Sequence, residues 1–348
     1  MENDSNQTEN ETKREFTVGN FCPEDAESIV RLFRSVYGEN YPIRLFYDPA
    51  AIVAANQDGR YFSIVARSSS GEVIGVNHLF RSAPNPSLYE TGVGLVLKEY
   101  RNLGVNGRVL RFLYEEFVPQ KPHIEEVFGE AVCNHIFQQK VYPVHKFVET
   151  ALEVALMPAE AYSKEKSAIG RVATLDGFRC FHSKPHRIYL PAAYEGPLGW
   201  IYAQLDDTRQ IDLSSRNVPN ALDSKGDLKV FEFAQVARMA VHEIGNDFNG
   251  FFSDLEAQAL AQNAVVLQAW VNLTTPWVGK AVDILQDRGY FFGGALPRWF
   301  DGDGLLMQKL LCPPDFDSIQ LFSDFAKKLL SVVKEDWQRA NSSVEKAV

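Results

Sequence analysis

The pattern that most restricts the fold is an order of elements that occurs twice. Strand, helix, strand, helix, strand, strand can be read over 89–157 and again over 234–311. In both stretches, apolar residues at helical spacing alternate with short, β-rich apolar runs. Elements alternating in this way build a layered α/β sheet with helices against its faces. At ~150 residues per domain, 348 residues hold about two. The expectation is therefore two domains of similar plan.

The front half adds detail. A short strand at 16–18 precedes Pro23-Glu24-Asp25, which opens a helix carrying Ile29, Leu32, Phe33 and Val36 on one stripe. A second helix follows at 49–56. Strands at 61–66 and 73–80 are joined by Ser68-Ser69-Ser70-Gly71, which reads as a hairpin turn. A strand at 89–97, a polar loop at 98–104 and a helix at 106–117 come next. A strand at 126–132, a helix near 137–146 and a strand at 150–157 complete this half. The Lys/Glu/Ser-rich stretch 159–170 is the expected boundary. Beyond it we expect strands near 178–181 and 187–190, a helix near 199–205, and one long strand or two joined strands over 230–241. Helices at 249–262 and 276–288 then alternate with strands at 265–272, 291–296 and 305–311. A final amphipathic helix spans 319–337. The resulting plan is a tail at 1–14 expected to be disordered, domains at 15–160 and 161–312, and a C-terminal helix within 313–348.

Charge and cysteine usage exclude several classes. The formal net charge of −10 disfavours a general nucleic-acid binder or a partner of anionic membranes. No stretch approaches the ~20 apolar residues that cross a bilayer, and 1–14 reads as neither signal nor transit peptide. Cys22, Cys133, Cys180 and Cys312 share no metal-binding spacing and fit reduced thiols in a cytoplasmic protein. No metal is expected: His242-Glu243 lacks a second histidine, and Asp301-Gly302-Asp303-Gly304 lacks the later ligands of a calcium loop.

The chemistry concentrates in Tyr89-Glu-Thr-Gly-Val-Gly-Leu-Val-Leu-Lys-Glu-Tyr-Arg-Asn-Leu-Gly-Val-Asn-Gly-Arg108. A strand ends near Val96, a polar loop carries Arg101 and Gly104, and a helix begins near Val105. The first turn of a helix presents amides without helical acceptors at the positive end of the dipole, which is a ready anion site. Gly104 and Gly107 place no side chain in the way of a phosphate. An open edge of the strand, or a gap beside it, would pair with an extended amide-containing ligand. A pyrophosphate joined to a peptide-like arm satisfies both features, and coenzyme A is such a ligand.

Strand–Val–(four residues)–Arg–x–x–Gly–x–x–Gly–helix resembles the acyl-CoA motif of the GNAT acetyltransferase superfamily. The preceding helix–helix–hairpin order and the following strand–helix–strand order match too, so the resemblance covers about 16–157. Asn106 stands where the family prefers Gly or Ala, with Gly107 one place later. The fold class implied is mixed α/β, a GNAT-type sheet flanked by helices, with two such domains in tandem. The resemblance puts Gly94, Leu95 and Val96 beside the pantetheine arm through their backbone. It puts Asn102, Leu103, Gly104, Val105, Asn106 and Gly107 around the pyrophosphate, with Arg101 heading the loop.

The same resemblance implies roles for three further residues. Glu90, eleven residues before Arg101, stands where the histone-acetylating branch carries its base; otherwise it is a solvated strand residue. The chemistry asks for such a group, because an ammonium must lose a proton before it attacks a thioester. Asn134 follows the next strand as a cofactor-binding Asn, and Tyr142 stands in the place of the general acid, one residue later than the family spacing. His135 is a reserve acid or base. In the second half, Gly289-Tyr290 fits the end of the family's last helix. The stretch 242–251 lacks an Arg or Gln at the right spacing and contains Asp247, so no cofactor loop is expected there.

The function implied is acetyl transfer from acetyl-CoA to an amine of a small molecule or peptide by direct attack. A non-catalytic acyl-CoA-binding or protein-interaction module, or a tandem transferase with another donor, are the alternatives. A homodimer is left open.

Overall fold

The computed structural model describes residues 15–39, 41–158, 170–215, 217–219 and 222–345. The tail expected at 1–14 and most of the boundary stretch at 159–170 lie outside them. The chain divides into two compact units, Met1–Ser82 with Tyr89–Val127, and Ala83–Leu88 with Phe128–Val348.

In the first unit, β1 (Phe16–Asn20), β2 (Tyr61–Ser68), β3 (Val73–Phe80) and β4 (Leu88–Val96) lie side by side in chain order, each antiparallel to the next. The expected hairpin closes β2 onto β3: Gly71 takes a φ of 84°, and its amide donates to the Ser68 carbonyl. One sheet face is covered by α1 (Ala26–Tyr37) and α2 (Pro49–Gln57). The stripe read from the sequence does the work, since Ile29, Leu32 and Phe33 are buried and pack with Phe46, Val65, Val76 and Leu95. Each such side chain contributes about 1.5–3 kcal/mol of apolar burial. Asp48 caps α2 by accepting from the Ala50 and Ala51 amides, and Pro49 fits the first helical turn, where its missing N–H costs nothing.

The other face carries α3 (Val105–Arg111), which continues into a π-helical stretch at Phe112–Phe117. Val105 sits directly on β3: a Cβ at Gly75 would lie 2.7 Å from its Cγ1. That glycine lets the start of α3 approach the strand closely.

In the second unit, β5 (Glu126–Val132), α4 (Val141–Val144), β6 (Val148–Pro158) and β7 (Arg171–Cys180) come first. Next are β8 (His186–Leu190), α5 (Glu195–Tyr202), β9 (Arg209–Leu213), β10 (Lys225–Phe231), β11 (Val236–Glu243) and α6 (Phe248–Ala261). Then β12 (Val266–Asn272), α7 (Val278–Asp287), β13 (Phe291–Leu296), β14 (Gly304–Leu310) and α8 (Asp324–Glu345) complete the chain. The sheet order is β5-β7-β6-β13-β14-β12-β11-β10, with β8 and β9 forming a separate parallel pair.

The repeated order has a topological counterpart. The strand that completes the first copy is β7, which lies beyond 157; with it included, the last three strands are arranged alike, β5-β7-β6 and β12-β14-β13, the final strand inserted between its two predecessors. The fold is thus a mixed α/β sheet flanked by helices. The run 230–241 resolves into two strands joined as an antiparallel hairpin, because Gln235 turns the chain with a φ of 52°. The compact units part near 127/128, and β6 and β7 flank the polar stretch as a long antiparallel pair within the second unit.

Candidate active site

β4 is bent at its middle. Leu95 opposes Val76 and Gly92 opposes His78, so Val93 and Gly94 together face the single residue Asn77. This is a β-bulge, and it puts Val93 at a φ of 54°, a costly region for a β-branched residue. A polar chain holds the distortion. Tyr114 Oη donates to Thr91 Oγ1 at 2.9 Å, and Thr91 donates to Asn77 Oδ1 at 3.1 Å. A Cβ at Gly94 would come within 2.7 Å of Asn77 Nδ2, so the bulge requires glycine there. The bulge divides the strand by face. Leu95 joins the α1 core, whereas Gly94 faces Asn77 on the α3 side.

Beyond the bulge the chain enters the loop. Arg101 is exposed, and its Nε lies 3.4 Å from the Val96 carbonyl. Asn102 and Gly104 both adopt left-handed backbone, at φ 65° and 81°. Gly104 is the N-cap of α3 and supplies no side-chain cap. The first helical bond is from the Arg108 amide to the Gly104 carbonyl, at 3.0 Å. The amides of Val105, Asn106 and Gly107 precede it and therefore have no acceptor within the helix. A Cβ at Gly104 or at Gly107 would meet no atom within 4 Å, so the mouth of this turn is open space. Asn106 is exposed and intrudes on neither glycine. The residues present fit a pyrophosphate: backbone donors at a helix start, with room for the anion to reach them.

Glu90 sits on the opposite face of β4. It pairs across the sheet with Phe80, which in turn pairs with Tyr61 on β2. The Phe80 and Tyr61 rings stack with centroids 5.4 Å apart. Burial raises the Tyr61 phenol above its ordinary value, and the nearby Glu90 carboxylate raises it further. Gly92 lies between these groups: a Cβ there would be 3.5 Å from the Phe80 ring and 3.6 Å from Glu90 Oε1. Deeper in, His78 is fully buried, with Nδ1 2.8 Å from Ser63 Oγ, and burial pushes its pKa down to about 3. It is a neutral packing residue.

Two sequence-derived residues belong to the second unit. Asn134 is half-buried in the turn after β5. Tyr142 does not fit the acid role. Its side chain is 4% exposed, and its Oη lies 2.6 Å from the Gly129 carbonyl and 2.9 Å from that of Leu175. Its ring fills the space beside Gly177, where a Cβ would come within 2.8 Å. A hydroxyl committed to main-chain carbonyls in the interior is a packing group. Pro143 explains the geometry, because α4 is only one turn long and the ring folds back onto β7.

The corresponding turn of the second repeat, between β11 and α6, is closed at Gly245 and carries an acidic residue. Asp247 Oδ1 accepts from the Ser224 amide at 2.8 Å, and the Ser224 side chain first, then this amide, holds its carboxyl below the usual range. The Gly245 amide donates to Ser224 Oγ, and the Asn246 amide to the Leu222 carbonyl. A Cβ at Gly245 would lie 2.2 Å from that carbonyl. The Gly245 and Asn246 amides are occupied and a negative charge stands at the helix start, although a Cβ at Gly250, one turn on, would meet no atom within 4 Å.

Solved structures similar to this chain include three acetyltransferases. The ribosomal-protein-S5-alanine acetyltransferase of Vibrio fischeri is 13% identical, covering 47% of this chain and 92% of its own, with a TM-score of 0.38. The spermidine/spermine N-acetyltransferase of Vibrio cholerae is 13% identical over 49% of this chain and 95% of its own, with a TM-score of 0.38. An acetyltransferase of the GNAT family from Staphylococcus aureus Mu50 is 14% identical over 48% and 99%, with a TM-score of 0.34. No protein-family model matches the sequence, and no curated protein does.

Sequence reasoning missed Phe80, Tyr61 and the Asn77–Thr91–Tyr114 chain. The alternation Gly92-x-Gly94 was the available signal, since two glycines in one strand mark a bulge or a close approach. Among the described residues, no helix is long and apolar enough to cross a membrane.

Proposed function

We propose that the protein is an N-acyltransferase that moves acetyl from acetyl-CoA to an amine by direct attack. The open turn at Gly104–Gly107 carries this reading, because its backbone donors and empty mouth suit a pyrophosphate. Gly94, Leu95 and Val96 would offer backbone to the pantetheine arm. The bound thioester supplies an activated acetyl carbon.

Glu90 takes a proton from the ammonium, directly or through a water, and the neutral amine then forms the C–N bond as the C–S bond breaks. The proton left on the nitrogen after attack passes to the departing thiolate, whose thiol pKa of about 8.5 makes it a good leaving group, so a dedicated acid is dispensable. That accords with the burial of Tyr142. Asp247 at the start of α6 would repel a pyrophosphate, which supports the first unit as the seat of the reaction.

The engaged Tyr142 hydroxyl favours one second reading, an acyl-CoA-binding module without turnover. Release of free thiol from acetyl-CoA, followed with a panel of amines, tests the choice. Release that depends on an amine supports transfer. Binding of acetyl-CoA without release for any amine supports the second reading.

A further inference from the structure

Asn77 carries an amide whose direction the fold fixes. It lies on β3 opposite the β4 bulge and is 4% exposed. Tyr114, on the π-helical stretch that continues α3, donates its phenolic proton to Thr91 Oγ1. Thr91 has one hydroxyl proton, and it goes to Asn77 Oδ1 at 3.1 Å. With Oδ1 turned towards Thr91, Nδ2 is turned towards Gly94, 2.7 Å from where a Cβ of that residue would stand. Among the described residues, no group accepts a hydrogen bond from Nδ2. A buried amide without an acceptor is uncommon in a folded protein and fits a donor whose partner is a ligand.

Resting on the acyl-transfer reading, in which the backbone of Gly94, Leu95 and Val96 takes the pantetheine arm, we infer that Asn77 Nδ2 donates to the carbonyl oxygen of the bound acetyl thioester. When the amine nitrogen bonds to the acetyl carbon, that oxygen gains negative charge. It gives the charge up as the C–S bond breaks and sulfur leaves with the electron pair. A donor already aimed at the oxygen stabilises this charge without rearranging. Gly94 serves the same end, since any side chain there would stand against the amide. Tyr114 and Thr91 are positioning residues, because they act only by fixing which way Asn77 turns.

The infrared stretch of an isotope-labelled acetyl carbonyl in bound acetyl-CoA tests this directly. It should fall in frequency on binding to the wild-type chain and return towards its solution value in Asn77→Leu, which keeps the volume and removes the donor. In the same variant kcat should fall by about 10²–10³, the usual loss for one such donor, while affinity for free CoA, which has no acetyl carbonyl, stays within about twofold. Thr91→Val, which frees the amide to rotate, should give a smaller shift and a smaller loss, and it carries the test if a melt shows Asn77→Leu to be unfolded. An identical stretch in wild type and folded variants overturns the inference. So does a loss of free-CoA affinity as large as the loss in kcat, which would make Asn77 only a support for the bulge. The acyl-transfer reading fails separately, as a lowered stretch in bound acetyl-CoA with no amine-dependent release of thiol; absence of acetyl-CoA binding overturns both.

Discussion

Replacing Glu153 by Gln should change how the stability of this protein depends on pH. Glu153 lies on β6, 2% exposed, with Arg238 Nη2 3.3 Å away and Thr174 Oγ1 at 3.2 Å. Burial raises its pKa to about 7, against the attraction of Arg238 and with repulsion from Glu130. In the unfolded chain the same group titrates near 4.5. Between those values the folded state holds a proton that the unfolded state has lost. Stability therefore falls as pH rises from about 4.5 to about 7 and is level above. A difference of between two and three pKa units corresponds to about 3 kcal/mol.

Gln keeps the shape and a hydrogen-bonding head group but does not titrate, and Glu130 still faces Arg238 at 3.1 Å. The stability of Glu153→Gln minus that of wild type should accordingly rise by about 3 kcal/mol between pH 5 and pH 8. Urea unfolding at the two pH values measures it, and comparing the two proteins cancels the other titrating groups. A difference that is the same at both pH values would refute the reasoning.

Two further outcomes follow from the site. Glu90→Gln should leave acetyl-CoA affinity unchanged and lower kcat by about 10²–10⁴, with the smallest loss at high pH, where more amine is already neutral; steady-state thiol release with an accepted amine checks this. Tyr142→Phe should leave kcat within about twofold while costing about 1–3 kcal/mol of stability, because the buried hydroxyl's one hydrogen bond to a main-chain carbonyl is lost; a large fall in kcat in a folded variant would restore the acid role.

Much of this was legible in the sequence, for identifiable reasons. The stripe Ile29, Leu32, Phe33 forms α1 because helical spacing gathers it on one face. Gly104 follows from a turn that needs left-handed backbone, which glycine adopts without penalty. The β4 bulge was not legible, since Val93 resists the backbone it takes and is held there by Asn77, Thr91 and Tyr114 from three different elements. Burial of the Tyr142 hydroxyl depends on the Gly129 and Leu175 carbonyls, distant in sequence and joined only by sheet pairing. β9 escaped detection because three of its five residues are polar, its Ile211 and Leu213 stay exposed, and it gains its partner only from the parallel pairing with β8.

Binding of acetyl-CoA to wild type and to Gly104→Glu tests the central claim most directly. The variant places a carboxylate in the open mouth before α3 and repels the phosphates. Left-handed backbone at this position costs a non-glycine residue about 1–2 kcal/mol, so circular dichroism and a melt confirm that the variant is folded. The account predicts calorimetric binding of acetyl-CoA to wild type and none to the folded variant. Equal affinity in both, or no binding to wild type, would contradict it.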